Sequence, residues 1–240
     1  MTTLLIATRN AHKVGEIRAI LGAPFQFLTL NDFPAAPQVQ EDAATFAGNA
    51  AKKAGELARW LASGPPVAAP ASLFVLADDS GLEVDALNGA PGVHSARFAA
   101  LDRSADSLSA GATGNSPDAD NNAKLLRCLQ SVPRAQRTGR FRCVLALVPV
   151  PEVGLESSSP VCYADEFAAQ IFDGTCEGRI QSAPSGHGGF GYDPLFIPEG
   201  YQQSFAELGE SLKNQLSHRA RALAKLKALF THTDAKPPRS

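Results

Sequence analysis

The 240-residue chain sets 22 Lys and Arg against 24 Asp and Glu, with 44% apolar residues, 19% charged residues and 13 Phe. That much apolar matter excludes a disordered chain, and a formal charge of −2 offers no basic excess for phosphate-backbone binding, so nucleic acid is not an expected partner. The longest apolar runs, such as Cys143 to Val150, fall far short of the ~20 residues of a membrane span, and Leu4-Leu5-Ile6-Ala7 is too short for a signal peptide, so a cytoplasmic protein is expected.

Leu4 to Ala7 reads as a buried strand. After Thr8-Arg9-Asn10 the spacing of Val14, Ile17 and Leu21 is that of one helix face, stopped by Gly22 and Pro24. A second strand follows at Phe25 to Leu30, then a helix from about Thr45 to Ala62 with Phe46, Ala50, Leu57 and Leu61 along its apolar stripe. Leu73 to Ala77 reads as a third buried strand, ending at two acids. A third helix, capped by Asp118 or Asp120, carries Leu125, Leu126, Leu129 and Val132 towards the core. Strands at Phe141 to Val148 and Tyr163 to Phe172 are expected to pair antiparallel as a second lobe. Ser204-x-x-Glu207 is a capping-box pattern for a short helix, and Leu216 to Phe230 a final one. The class is α/β.

Three stretches read as loops: Ala62 to Ser72, Ser104 to Asp118 and Pro149 to Pro160; residues 231–240 read as a flexible tail after a single domain over 1–230. The cysteines (Cys128, Cys143, Cys162, Cys176) form no C-x-x-C pair and are expected to be ordinary, mostly buried thiols.

Four constellations suit chemistry. Thr8-Arg9-Asn10-Ala11-His12-Lys13 sits at a strand-to-helix corner, where backbone N–H groups and the helix dipole favour an anion and Lys13 adds charge. The competing reading is a plain cap by Asn10. Ala77-Asp78-Asp79-Ser80-Gly81 places two acids after an apolar strand, where a pair of carboxylates suits Mg²⁺; an Asx turn closed by Gly81 is the alternative. Glu41-Asp42 is a weaker acidic pair. Gly186-His187-Gly188-Gly189-Phe190-Gly191-Tyr192-Asp193 spends so much chain entropy on glycine that a close backbone approach to a ligand is expected, with Phe190 stacking on a base. Lys213 precedes Ser217-His218-Arg219 at the start of the last helix, where Ser217 suits an N-cap but His218 and Arg219 put positive charge in the first turn, which the dipole disfavours unless a ligand compensates; exposed side chains are the alternative.

Taken together and in order, Thr8-x-Asn10-x-x-Lys13, Thr45-Phe46-x-x-Asn49-Ala50, Ala77-Asp78-Asp79-Ser80-Gly81-Leu82, Gly92-x-x-Ser95-Ala96-Arg97, Gly188-Gly189-Phe190-Gly191-Tyr192-Asp193-Pro194 and Ser217-His218-Arg219 resemble the inosine triphosphate pyrophosphatase (HAM1/RdgB-like) family over residues from about 4 to 230. The resemblance implies an elongated mixed-sheet α/β fold with two lobes and a nucleotide cleft between them. It implies a homodimer that hydrolyses ITP, dITP and XTP to the monophosphate and pyrophosphate with Mg²⁺. By motif, Thr8, Arg9, Asn10, Ala11, His12 and Lys13 hold phosphates, Glu41 and Asp79 serve the metal, and Asp79 is also the base. Ser80 and Lys213 contact the nucleotide, Phe190, Gly191, Tyr192 and Asp193 wrap the base and sugar, and His218 and Arg219 read the purine edge. Arg9 departs from a glycine common in the family, and the loops at Ala62 to Ser72 and Ser104 to Asp118 are longer than usual.

Two other functions compete. A Maf-like nucleotide pyrophosphatase shares the general architecture but lacks the pairing of Gly-Gly-Phe-Gly-Tyr-Asp with Ser-His-Arg. A non-catalytic nucleotide-binding module has little use for acids at Asp78, Asp79 and Glu41.

Overall fold

The computed structural model describes residues 1–63, 72–102, 115–150 and 168–233. The three expected loops, the tail, Cys162 and the start of the strand expected from Tyr163 fall wholly or mostly outside these residues.

In chain order the elements are β1 (Thr2–Ile6), α1 (Ala11–Leu21), β2 (Phe25–Thr29), α2 (Phe46–Ser63), β3 (Leu73–Val84), α3 (Asp118–Cys128), β4 (Thr138–Pro149), β5 (Gln170–Ile180), β6 (Phe196–Pro198), α4 (Phe205–Leu216) and α5 (His218–Thr233). One six-stranded mixed sheet has the order β2-β1-β3-β4-β5-β6. β1 runs parallel to β2 and β3, with Leu5 opposite Leu28 and Val75, and β5 pairs antiparallel with β6. A parallel strand flanked on both sides is buried on both faces, which is why β1 reads as an unbroken apolar run instead of an alternating one.

Two expectations are corrected. β3 does not end at Ala77: Leu82 and Val84 continue its buried pattern, so Asp78, Asp79, Ser80 and Gly81 lie inside the strand and form no Asx turn. α3 is preceded by Pro117 and has no side-chain cap. Asp118 is its first residue, and the Asp118 carboxylate accepts a hydrogen bond from the Gly191 N–H. Of the strand expected at Tyr163 to Phe172, Gln170 to Phe172 are described and begin β5, which continues to Ile180 with Cys176 and Ile180 buried.

The chain divides into two units, the first from residues 1–79, 143–173 and 221–240, the second from 80–142 and 174–220. Leu4, Ile6, Ile17, Leu76, Leu145 and Leu223 are among the fully buried residues of the first core. The second is built on Leu82, Leu125, Phe141, Leu195, Phe196 and Phe205, with Phe141 and Phe196 at 4.7 Å between ring centroids. No described helix is long and apolar enough to cross a membrane.

Candidate active site

In the first unit, β1 ends at Ile6 and the chain turns into α1 through Thr8-Arg9-Asn10. Asn10 is the cap: its Oδ1 accepts from the N–H groups of His12 (2.9 Å) and Lys13 (3.2 Å), while Thr8 Oγ1 accepts from the Asn10 N–H (3.1 Å). The capping reading of this corner therefore holds, and two helix amides are already engaged. Arg9 is exposed, reaching only the Ala36 carbonyl at 3.5 Å, and Ala11 and His12 lie at the surface.

Lys13 points to β3. Its Nζ is 2.6 Å from Asp78 Oδ1, and the Cys143 thiol lies 3.3 Å from Asp78 Oδ2. Successive strand residues face opposite ways, so Asp79 meets a different set. Asn49 Nδ2 of α2 donates to Asp79 Oδ2 at 2.9 Å, and Asn49 Oδ1 accepts from the Ala43 N–H at 2.9 Å. The two adjacent acids thus meet different partners. Asp78 is neutralised by lysine, while Asp79 is 6% exposed and its pKa is pushed up to about 6. Burial is the main cause; Lys13, the Asn49 bond and Lys53 oppose it, and the negative charge of Glu41 adds to it. Glu41 is half-buried and ion-paired with Lys53, whose Nζ also approaches the Asp78 carbonyl at 3.4 Å. Asp42 lies apart, on the surface, paired with Lys52 at 2.6 Å.

Lys53 was not singled out by sequence. The signal was present: it stands four residues after Asn49, one helical turn along the same face of α2.

Among the described residues no three His, Cys, Asp or Glu side chains converge on one point. Glu41 and Asp79 form a two-carboxylate set in which the charge of Glu41 raises the cost of ionising Asp79. That donor set fits Mg²⁺, which keeps several waters and is held by one or two carboxylates together with substrate phosphates.

In the second unit the glycine segment connects β5 to β6, and its aromatics are placed by specific bonds. Asp193 Oδ2 accepts from the Phe190 N–H (2.9 Å) and lies 2.5 Å from Lys213 Nζ, both residues being buried. Gly189 has φ +73, and a side-chain carbon there would overlap the Asp193 carboxylate, so only glycine allows this closure. Lys213 Nζ sits 4.4 Å from the centroid of the Phe190 ring, and Arg219 Cζ 5.9 Å from it. Tyr192 turns inward, donating its hydroxyl to the Ser95 carbonyl at 2.9 Å. Burial, and then the Asp118 charge, raise its pKa. Ser95 in turn accepts from the Leu82 N–H at 2.9 Å, which gives the Gly92-x-x-Ser95 motif a structural role.

His218 and Arg219 begin α5 after the Ser217 cap, whose Oγ accepts from the Ala220 N–H at 3.2 Å. Neither is a surface side chain. His218 is stacked on Phe141 at 4.8 Å and 13°, and Arg219, 1% exposed, donates to Ser80 Oγ at 2.9 Å. Burying a guanidinium at the positive end of a helix is costly, which makes its placement here a structural commitment of the fold.

The residues singled out by the four constellations and the family resemblance fall in both units: Thr8 to Lys13, Glu41 and Asp79 in the first, and Ser80, Phe190 to Asp193, Lys213, His218 and Arg219 in the second. Known proteins resemble the chain over nearly its whole length. A dITP/XTP pyrophosphatase of Geobacter sulfurreducens is 45% identical over 95% of this chain and 96% of its own length. Another, of Geobacillus kaustophilus, is 44% identical over 94% and 93%. A HAM1 protein structure from Coxiella burnetii superposes with a TM-score of 0.72 at 33% identity, covering 97% of this chain and all of that one. A dITP/XTP pyrophosphatase structure from Mycobacterium abscessus gives 0.65 at 35% identity over 94% and 98%. With residues 4–229 also matching the family as a whole, the chain belongs to the Ham1 family.

Proposed function

We propose that the protein hydrolyses non-canonical purine nucleoside triphosphates, dITP, ITP and XTP, to the nucleoside monophosphate and pyrophosphate. The observation that carries this reading is the buried, electrostatically strained Asp79, flanked by Glu41, Lys13 and Lys53. A carboxylate whose burial outweighs the lysines beside it is suited to a metal-bound triphosphate. The similarity to proteins named dITP/XTP pyrophosphatase supports the substrate class.

Glu41 and Asp79 would hold Mg²⁺, which when bound neutralises phosphate charge and polarises the phosphorus centre under attack. Asp79, ionised, orients the attacking water and accepts its proton, and its pKa near 6 suits a base working close to neutrality. Lys13 and Lys53 offset the charge of the leaving pyrophosphate, with Thr8, Arg9 and the α1 corner steering the phosphate chain. Phe190 offers a flat apolar face to the base, and Arg219 donates to the C6 keto oxygen that hypoxanthine and xanthine share and adenine lacks. Lys213 holds Asp193 and Phe190 in position. The working form is a cytoplasmic homodimer.

Incubating the protein with dITP or XTP and Mg²⁺ and identifying the products by ion-exchange chromatography tests the reading. Monophosphate plus pyrophosphate is expected, with turnover abolished by chelation. Diphosphate plus inorganic phosphate would mean cleavage at the γ-phosphorus and would remove the assignment.

A further inference from the structure

The base-reading segment is clamped from α3. Asp118 and Asn122 stand one helical turn apart on the same face of α3, and both bond one residue, Gly191. Asp118 Oδ2 accepts from the Gly191 N–H at 2.6 Å, and Asn122 Nδ2 donates to the Gly191 carbonyl at 2.9 Å. Gly191 has φ +63 and lies between Phe190 and Tyr192, so both backbone polar groups of the hinge between the two aromatics are fixed by side chains 69 and 73 residues away in sequence. Asn122 is buried, and its Oδ1 has no hydrogen-bond partner among the described residues. An apolar residue of similar size would avoid that orphaned acceptor. What Asn122 supplies that leucine would not is the single donor to Gly191, which is a reason of position more than of stability. The same surface borders an open cavity of about 480 Å³ lined by Asp118, Asn122, Leu126 and the glycine segment, so little else packs the segment down on this side.

We propose that Asp118 and Asn122 are positioning residues that set substrate selectivity by holding Gly191, and through it the Phe190 ring, in the conformation that accepts a non-canonical purine. The proposal rests on the base-reading role of Phe190 and Arg219. A segment free to open pays an ordering cost each time it binds substrate, so loss of the clamp weakens binding without touching the atoms that react.

The test compares Asn122→Leu, Asp118→Ala and the conservative Asp118→Asn, with steady-state kinetics on dITP, XTP and dGTP and hydrogen exchange of the 186–194 segment in the free protein. Asn122→Leu and Asp118→Ala should each raise KM for dITP and XTP by about tenfold, the scale of one well-placed hydrogen bond. The preference over dGTP should narrow, kcat should stay within about twofold, and exchange should speed up. Asp118→Asn keeps an acceptor and should restore most of the wild-type KM. A purely structural role would instead lower the active fraction, and so kcat, at unchanged KM. That result, or unaltered exchange in Asn122→Leu, overturns the clamp. Phe190→Ala separates the two layers. If it changes the dITP to dGTP preference while the clamp variants do not, the clamp fails and base reading stands. If it leaves the preference unchanged, base reading fails, and the selectivity proposal falls with it.

Discussion

Asp79 concentrates the residue-scale argument. Its ordinary pKa of 3.8 rises to about 6 in the folded chain, so the folded state binds the proton more tightly than the unfolded one. The group's contribution to stability is therefore greatest below pH ~4 and declines as pH climbs towards 6, by on the order of 3 kcal/mol in total. Asp79→Asn keeps the shape and an acceptor for Asn49 but removes the buried charge. Metal-free Asp79→Asn should be more stable than wild type at pH 7 and no different at pH 4, measured by urea denaturation; equal stabilities at both would show that the charge is not strained. The same substitution should lower turnover roughly 10²-fold or more, since metal and water both need the carboxylate. Wild-type kcat/KM should rise with pH through about 6, and the midpoint should move down as Mg²⁺ is raised. Arg219 gives a second residue-scale expectation. Arg219→Ala should reduce kcat/KM for ITP far more than for ATP, because it removes a donor that only the keto base can use. An equal loss for both, with an unchanged circular dichroism spectrum, would make Arg219 a phosphate-binding or structural residue.

Both clusters were legible in the sequence, but their internal pairing was not. Asp78 and Asp79 look equivalent as neighbours after an apolar run. Only the continuation of β3 past Gly81 sends one side chain to Lys13 and the other to Asn49. The cysteines were expected to be ordinary, mostly buried thiols, and among the described residues Cys143 and Cys176 are buried and Cys128 is exposed, with the Cys143 thiol reaching Asp78. At the scale of elements, helix ends were the more reliable readings. Asn10, Ser217 and the Ser204/Glu207 capping box all form as their spacing suggests, because a cap is a contact across three residues that needs no distant partner. Asp118 is not the cap because the helix already begins at it, and its carboxylate bonds the Gly191 N–H. The glycine segment yields an element-scale prediction. In Gly189→Ala the added methyl both strains a φ of +73 and overlaps the Asp193 carboxylate, which carries the Phe190 N–H and Lys213. A fall in kcat/KM of roughly tenfold or more is expected with intact secondary structure, from the strain alone. Unchanged kinetics would mean that the Asp193 contacts do not shape the site.

On the scale of the whole molecule, the chain returns to its beginning at its end. Ala222, Leu223 and Leu226 of α5 are fully buried in a core that also holds Leu4, Ile6 and Ile17. Leu223→Ala should therefore destabilise the protein by about 2–5 kcal/mol, read as a lower urea midpoint, with both KM values and substrate preference retained in the folded fraction. A loss under about 1 kcal/mol would mean that α5 is not part of that core. The sequence by itself determined the α/β class, the order and approximate bounds of the helices, the capping motifs and the six motifs that identify the family, because each depends on periodicity or on residues within a few positions of one another. Only the tertiary structure decided that β3 runs on through both acids, that Lys13 pairs with Asp78 while Asp79 is buried with Glu41 acting on its charge, that Lys53 joins the site, and that Arg219 lies buried against Ser80. Those facts depend on partners from 12 to 139 residues apart. Their meeting, and the desolvation that sets the Asp79 pKa, come from long-range packing, which no local pattern encodes.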